Sequence, residues 1–288
     1  MNRIFSKLTG ALALGVLFAA TAPLYATEWD LTQTDFSGIA NDGGVFFFQT
    51  DSASTGTGLI DSFVQIGGNT TVTRAYNTTV NNVLDNGSSS TFNHALDLSS
   101  VPIYINPVTG IAYREFNLDI NQTGESPKLV LDDVQVFLTN TGNQSVQTFD
   151  ATGKLLLADA SLIYRMDGIH GTDGDRILLD FSLNNGSGSG DMTMMVPDSL
   201  FTAGFNSVVL YSHFGEESFG GTVYGNNDGF EEWFVCQDKN TKTALACTTS
   251  GQTSGTFGQT PEPASLLLLG MGLVLGARRL SKRAMRKD

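Results

Sequence analysis

Apolar and polar residues alternate with a period of two in one segment after another, and Gly, Asn and Asp clusters separate the segments. In "AYREFNLDIN", Phe116, Leu118 and Ile120 fall on one side, while Tyr113, Glu115, Asn117 and Asp119 fall on the other. In "RILLDFSL", Ile177, Leu179, Phe181 and Leu183 share a face. "SVVLYSHF" sets Val208, Leu210 and Phe214 against Val209, Tyr211 and His213. In "FEEWFVC", Phe230, Glu232, Phe234 and Cys236 oppose Glu231, Trp233 and Val235. Side chains on successive strand residues point to opposite faces, so each segment predicts a strand with one face inward. "GGVFFFQT", "GLIDSFVQI" and "KLVLDDVQVFLTN" extend the set to at least eight strands. No amphipathic helix and no repeat with a period of 20–50 residues interrupts them. Many strands joined by glycine-rich turns predict an all-β body, an antiparallel β-sandwich or jelly roll, over residues 27–250.

The two ends break this pattern. Arg3 and Lys7 precede an uncharged stretch from Leu8 to Ala22, which predicts a signal helix over residues 1–26. Ala20-Thr21-Ala22 fits the small-x-small cleavage rule better than Leu24-Tyr25-Ala26, but Pro23 would then follow the cut. Cleavage is therefore placed after Ala26, with the Sec machinery and signal peptidase as partners. At the other end, "GQTSGTFGQT" (251–260) reads as a flexible linker. Ala264 to Ala277 are uncharged and rich in Leu and Gly, and six cations follow them before the terminal Asp288. At ~1.5 Å per residue this short hydrophobic helix would span ~21 Å, less than the ~30 Å of a bilayer core. The basic run holds its own end on the cytoplasmic side and the body outside.

Charge follows the same division. Half of the 16 Lys and Arg residues lie in the ends, so residues 27–260 keep 8 cations against 27 acids, a net charge of −19. Such a body repels nucleic acid, which excludes that class of partner. Cys236 and Cys247 are the only cysteines, and in an exported chain a pair 11 positions apart predicts a disulfide.

The order Pro261-Glu262-Pro263, short Leu/Gly span, Arg278-Arg279 resembles the PEP-CTERM sorting signal over residues 261–288. Thr260 stands before the triad, where the family more often has Val. The resemblance implies an exported protein of a Gram-negative bacterium. It would be anchored transiently in the inner membrane, processed by an integral-membrane exosortase, and passed to the cell surface or extracellular matrix. It also implies an association with exopolysaccharide and biofilm. From about Gly56 to Cys236, "GTGLIDSF", "YNT", "EFNLDIN", "LVLDDVQVF", "LLDFSL", "GSGSGDM", "LYSHFG" and "GFEEW" resemble a β-rich domain that recurs in such secreted proteins. That second resemblance bears on compartment and fold style and implies no chemistry.

Candidate chemistry is sparse, and the first reading is a non-enzymatic surface or matrix protein without a cofactor. His94, His170 and His213 are scattered, and "GSGSGD" (186–191) has Gly188 where a nucleophile elbow needs Ser. A carbohydrate- or Ca²⁺-binding module is the alternative. "DGIHGTDGD" offers Asp167, Asp173 and Asp175 as oxygen ligands, and "GNNDGFEEW" offers Asn226, Asn227 and Asp228. Tyr211 and Trp233 are candidate sugar-stacking aromatics. A matrix glycan hydrolase would pair Glu231 or Glu232 with a distant acid such as Asp119 or Asp180. Six Asn-x-Ser/Thr triplets, at Asn69, Asn77, Asn86, Asn121, Asn143 and Asn185, reflect composition rather than glycosylation.

Overall fold

The computed structural model describes residues 27–33, 37–39, 44–49, 59–67, 70–167, 174–184 and 190–247. The expected signal helix (1–26), linker (251–260) and C-terminal hydrophobic helix within 261–288 lie outside the described residues. Among the described residues no helix is long and apolar enough to cross a membrane.

The strands follow in chain order. The first six are β1 (Glu28–Asp30), β2 (Ser37–Ile39), β3 (Phe46–Gln49), β4 (Ile60–Ile66), β5 (Thr73–Tyr76) and β6 (Leu96–Asp97). Next come β7 (Ile103–Ile105), β8 (Ala112–Asp119), β9 (Lys128–Thr139), β10 (Ala160–Arg165) and β11 (Arg176–Asp180). The last are β12 (Met192–Pro197), β13 (Ser207–Phe214), β14 (Glu216–Phe219), β15 (Thr222–Gly225) and β16 (Glu231–Cys236). The first sheet runs β1-β11-β9-β13-β5, with β10 also on β9 and β6 also on β13. The second runs β2-β3-β12-β8-β16-β4, with β7 also on β8. Every pairing is antiparallel except β1 with β11.

Both sheets supply the core between them. Leu129, Leu131, Val134, Val136, Val208 and Leu210 of the first sheet join one cluster with Phe116, Leu118, Met194, Trp233 and Val235 of the second. The expected faces of β8 and β13 are therefore the observed ones, β16 turns Trp233 and Val235 inward, and the body is an antiparallel sandwich. In β9 the period slips once. Phe214 pairs with Leu131 and His213 with Asp133, which leaves Asp132 as an extra residue in a β-bulge. The bulge keeps Leu129 and Leu131 on the same side as Val134 and Val136. "RILLDFSL" departs from expectation at its end. Asp180 accepts from the Ser182 N–H, and Phe181–Leu183 turn as a 3₁₀ helix instead of extending the strand.

The outer faces are covered too. A loop through Val146, Phe149 and Leu155 seals Tyr76, Phe137, Val209 and Tyr211 against the first sheet. The β14–β15 hairpin places Tyr224 and Phe219 over Val130 and Leu178.

Candidate functional site

Cys236 and Cys247 form the expected disulfide, with Cα atoms 5.3 Å apart. The bridge folds the segment after β16 over the outer face of the second sheet. There the Cys247 N–H donates to Glu115 Oε1 at 2.9 Å, and Asn117 Nδ2 donates to the same oxygen at 3.1 Å. Thr193 Oγ1 donates to Asn117 Oδ1 at 2.7 Å. Glu115 and Asn117, on the polar side of β8 by alternation, are thus buried and held by hydrogen bonds.

Neither expected sugar-stacking aromatic is on the surface, which corrects that reading. Trp233 lies in the core with no solvent exposure, and its Nε1 donates to Ser212 Oγ at 2.9 Å. Tyr211 is buried beneath the outer loop, 5.4 Å from the Phe149 ring centre to centre. Burial pushes its phenol above the ordinary range. In both cases an amphipathic ring satisfies its polar end inside the fold.

Of the first turn proposed for Ca²⁺, Asp173 lies outside the described residues. Asp175 Oδ1 accepts the Thr27 N–H at 2.6 Å. Asp167 sits 3.7 Å from the Arg165 guanidinium. Burial, with Asp133 nearby, raises its carboxyl to about 7. Arg165 is itself buried, 3.3 Å from Asp133, and donates to the Thr152 carbonyl at 2.7 Å. These contacts fasten the outer loop to the sheet. Asp133 and Arg165 carried no sequence signal as a pair, because 32 residues separate them.

At the end of the second sheet, β8, β12 and β16 bring Asp119, Asp191 and Glu231 within electrostatic range of one another. Glu231 is fully buried and accepts from the Asn121 N–H at 2.8 Å and from Gln122 Nε2. Asp191 Oδ2 accepts from the Ile120 N–H at 2.8 Å. Burial raises Asp191 to about 9 and lifts Glu231 well above the carboxylate range. Through these hydrogen bonds both acids tie strand ends together. Glu232 lies elsewhere, on Ser62 at 3.0 Å and Gln65 at 2.6 Å. Asp180 pairs with Lys128. The acids named for glycoside hydrolysis thus divide between a sealed cluster and partners in the scaffold. Among the described residues no three His, Cys, Asp or Glu side chains are grouped to hold a metal ion.

The second turn, by contrast, opens on a cleft of about 750 Å³, lined by Thr70, Thr71, Asn86, Asn226, Asp228 and Phe230, with Gly67, Gly87, Asn227 and Gly229 in its walls. Local packing shapes it closely. A Cβ on Gly67 would strike the Phe230 ring and stand 2.8 Å from the Gly229 carbonyl. Gly229 has φ +62°, and a Cβ there would strike Asn121. Asn227 is a structural member: its Oδ1 accepts from the Thr123 N–H at 2.8 Å, and its Nδ2 donates to the Ser126 carbonyl at 2.6 Å. Asn86 is likewise spent on Val83 and Val80. Asp228 Oδ1 accepts from the Gly229 N–H at 2.9 Å. Asn226 differs: it is buried, and among the described residues neither its Oδ1 nor its Nδ2 has a hydrogen-bond partner. Phe230, expected inside a strand, precedes β16 and is 43 % exposed.

The family model for the PEP-CTERM protein-sorting motif matches residues 259–283, which include the Pro261-Glu262-Pro263 triad, the apolar span, Arg278 and Arg279. The motif is that of an exported, cell-surface protein of a Gram-negative bacterium, sorted by an exosortase. No curated protein and no solved structure matches the chain.

Proposed function

We propose that the chain is a non-enzymatic protein of the cell surface or extracellular matrix, associated with exopolysaccharide. The sorting motif at the end of an all-β body carries this reading. On it, residues 1–26 engage the Sec machinery and signal peptidase. Residues 264–277 then hold the body transiently in the inner membrane, with Arg278 and Arg279 on the cytoplasmic side. Exosortase processing near Pro261 releases a sandwich whose disulfide suits an oxidising compartment.

The fate of the acids supports a non-enzymatic role. General acid–base chemistry needs a group within reach of substrate. Glu231 has no exposure, and Asp191 and Asp133 are buried among backbone and side-chain partners.

Intact-mass spectrometry of the protein from the host's surface and medium fractions tests the sorting. Loss of both ends, near Ala26 and near Pro261, is expected. A chain that keeps Leu266 to Arg279 would overturn the processing. Turnover of host polysaccharide that disappears in Glu231→Gln would overturn the non-enzymatic assignment.

A further inference from the structure

We infer that the Asn226 cleft is a binding site for a neutral saccharide, with Asn226 as the reader of its hydroxyl groups and Phe230 as the stacking surface. The inference rests on the exopolysaccharide association proposed above and gives it a place on the molecule.

The argument begins with the cost of Asn226. A buried amide without partners loses its hydration and gains nothing in return, so natural folds pair nearly all such groups. Here the Asn226 backbone N–H does its structural work, donating to the Thr71 carbonyl at 3.1 Å. The side-chain amide beside it has no hydrogen-bond partner among the described residues, although it is only 2 % exposed and borders the cleft. Its neighbour Asn227, by contrast, uses both amide ends on backbone groups.

The shape of the unmet demand selects the ligand. An amide presents one acceptor and two donors side by side. A cation would take only Oδ1 and leave Nδ2 without a partner, and among the described residues Asp228 is the only acid lining the cleft. Ca²⁺ takes six to eight oxygens, several of them charged. A pair of adjacent hydroxyls answers both ends of the amide, since each hydroxyl donates and accepts. Phe230 supplies the other half of sugar recognition. Its exposed ring stands at the rim, held there because Gly67 leaves room for it, and it offers an apolar face to the C–H side of a sugar ring. A peptide would call for apolar side-chain pockets, whereas Thr70 and Asp228 make the remaining wall polar.

The test uses the protein purified from its host, titrated calorimetrically with neutral hexasaccharides of glucose, mannose and galactose. Oligogalacturonate, Ca²⁺ and a mixed-sequence peptide library serve as controls. At least one neutral saccharide should bind. Phe230→Ala should weaken it about tenfold, the worth of one stacking contact. Asn226→Ala should abolish it while raising the melting temperature of the free protein by about 2–4 °C, because an unpaired buried amide is removed. A fall in melting temperature for Asn226→Ala would show that the amide serves the fold and would overturn the site. Binding of none of the neutral saccharides, or binding only of the acidic sugar, the cation or the peptides, would overturn it as well. None of these outcomes touches the sorting assignment, which the two processed termini decide.

Discussion

The backbone N–H of Cys247 donates to the carboxylate of Glu115, a residue 132 positions earlier on β8 with no solvent exposure. The disulfide thus does more than close a loop: it delivers the donor that satisfies a buried acid. Reduction, or Cys247→Ser, should cost about 3 kcal/mol from loop closure alone. For a body of this size that is a fall of roughly 6–12 °C in melting temperature. Differential scanning calorimetry with and without a reductant checks it, and an unchanged transition would separate the bridge from the stability of the sheet.

Among the described residues Arg165 is the only cation paired with Asp133, and both are buried beneath the outer loop. Arg165→Met should destabilise the protein by about 3–5 kcal/mol, because Asp133 is left as an uncompensated buried acid. Lys should rescue little. The guanidinium reaches Asp133, Asp167 and the Thr152 carbonyl together, and an ammonium cannot span that fork. Urea titration of the two variants decides this, with the double variant Arg165→Met, Asp133→Leu expected to recover part of the loss.

Stability should fall as pH rises from about 4, where free carboxyls titrate. Asp132, Asp167 and Asp191 are raised to about 6, about 7 and about 9, each chiefly by burial. Between the unfolded and folded values the folded chain holds protons that the unfolded chain has released, so each unit of pH favours unfolding. The decline should persist to about pH 9, the value for Asp191. Asp191→Asn, which can still accept from the Ile120 N–H, should reduce the slope between pH 7 and 9, where the raised Glu231 also contributes. Melting temperatures across that range for the two proteins make the comparison.

Trp233→Phe should cost about 1–2 kcal/mol, since the indole N–H leaves and Ser212 Oγ loses its donor inside the core. Trp233→Ala should cost about 3–5 kcal/mol through the cavity it leaves. Saccharide affinity of folded Trp233→Phe should equal that of the parent protein, because the ring never meets solvent. A selective loss of affinity without a loss of stability would return Trp233 to the ligand surface.

Much of the sandwich was legible from local pattern. Phe116, Leu118, Val208 and Leu210 face the core as alternation required, because the strand period is a property of the backbone itself, whereas β16 carries apolar residues on both faces and only the fold turned Trp233 and Val235 inward. The cysteine pairing and the sorting motif were equally plain, each being a short contiguous signal. What alternation could not supply was the second layer outside each sheet. Glu115, Asn117, Gln135 and Tyr211 stand on polar faces, yet the disulfide-tethered segment and the 140–157 loop bury them. Burial on an outer face depends on which distant loop folds back, and no local period records that. The same holds for function. Asn226, Asn227 and Asp228 sit together in sequence with the same apparent chemistry, but tertiary contacts consume Asn227 and, among the described residues, leave the Asn226 amide without a partner. The chain alone set which residues carry polar groups; only the fold decided which of those groups it satisfies itself and which, among the described residues, it leaves without a partner.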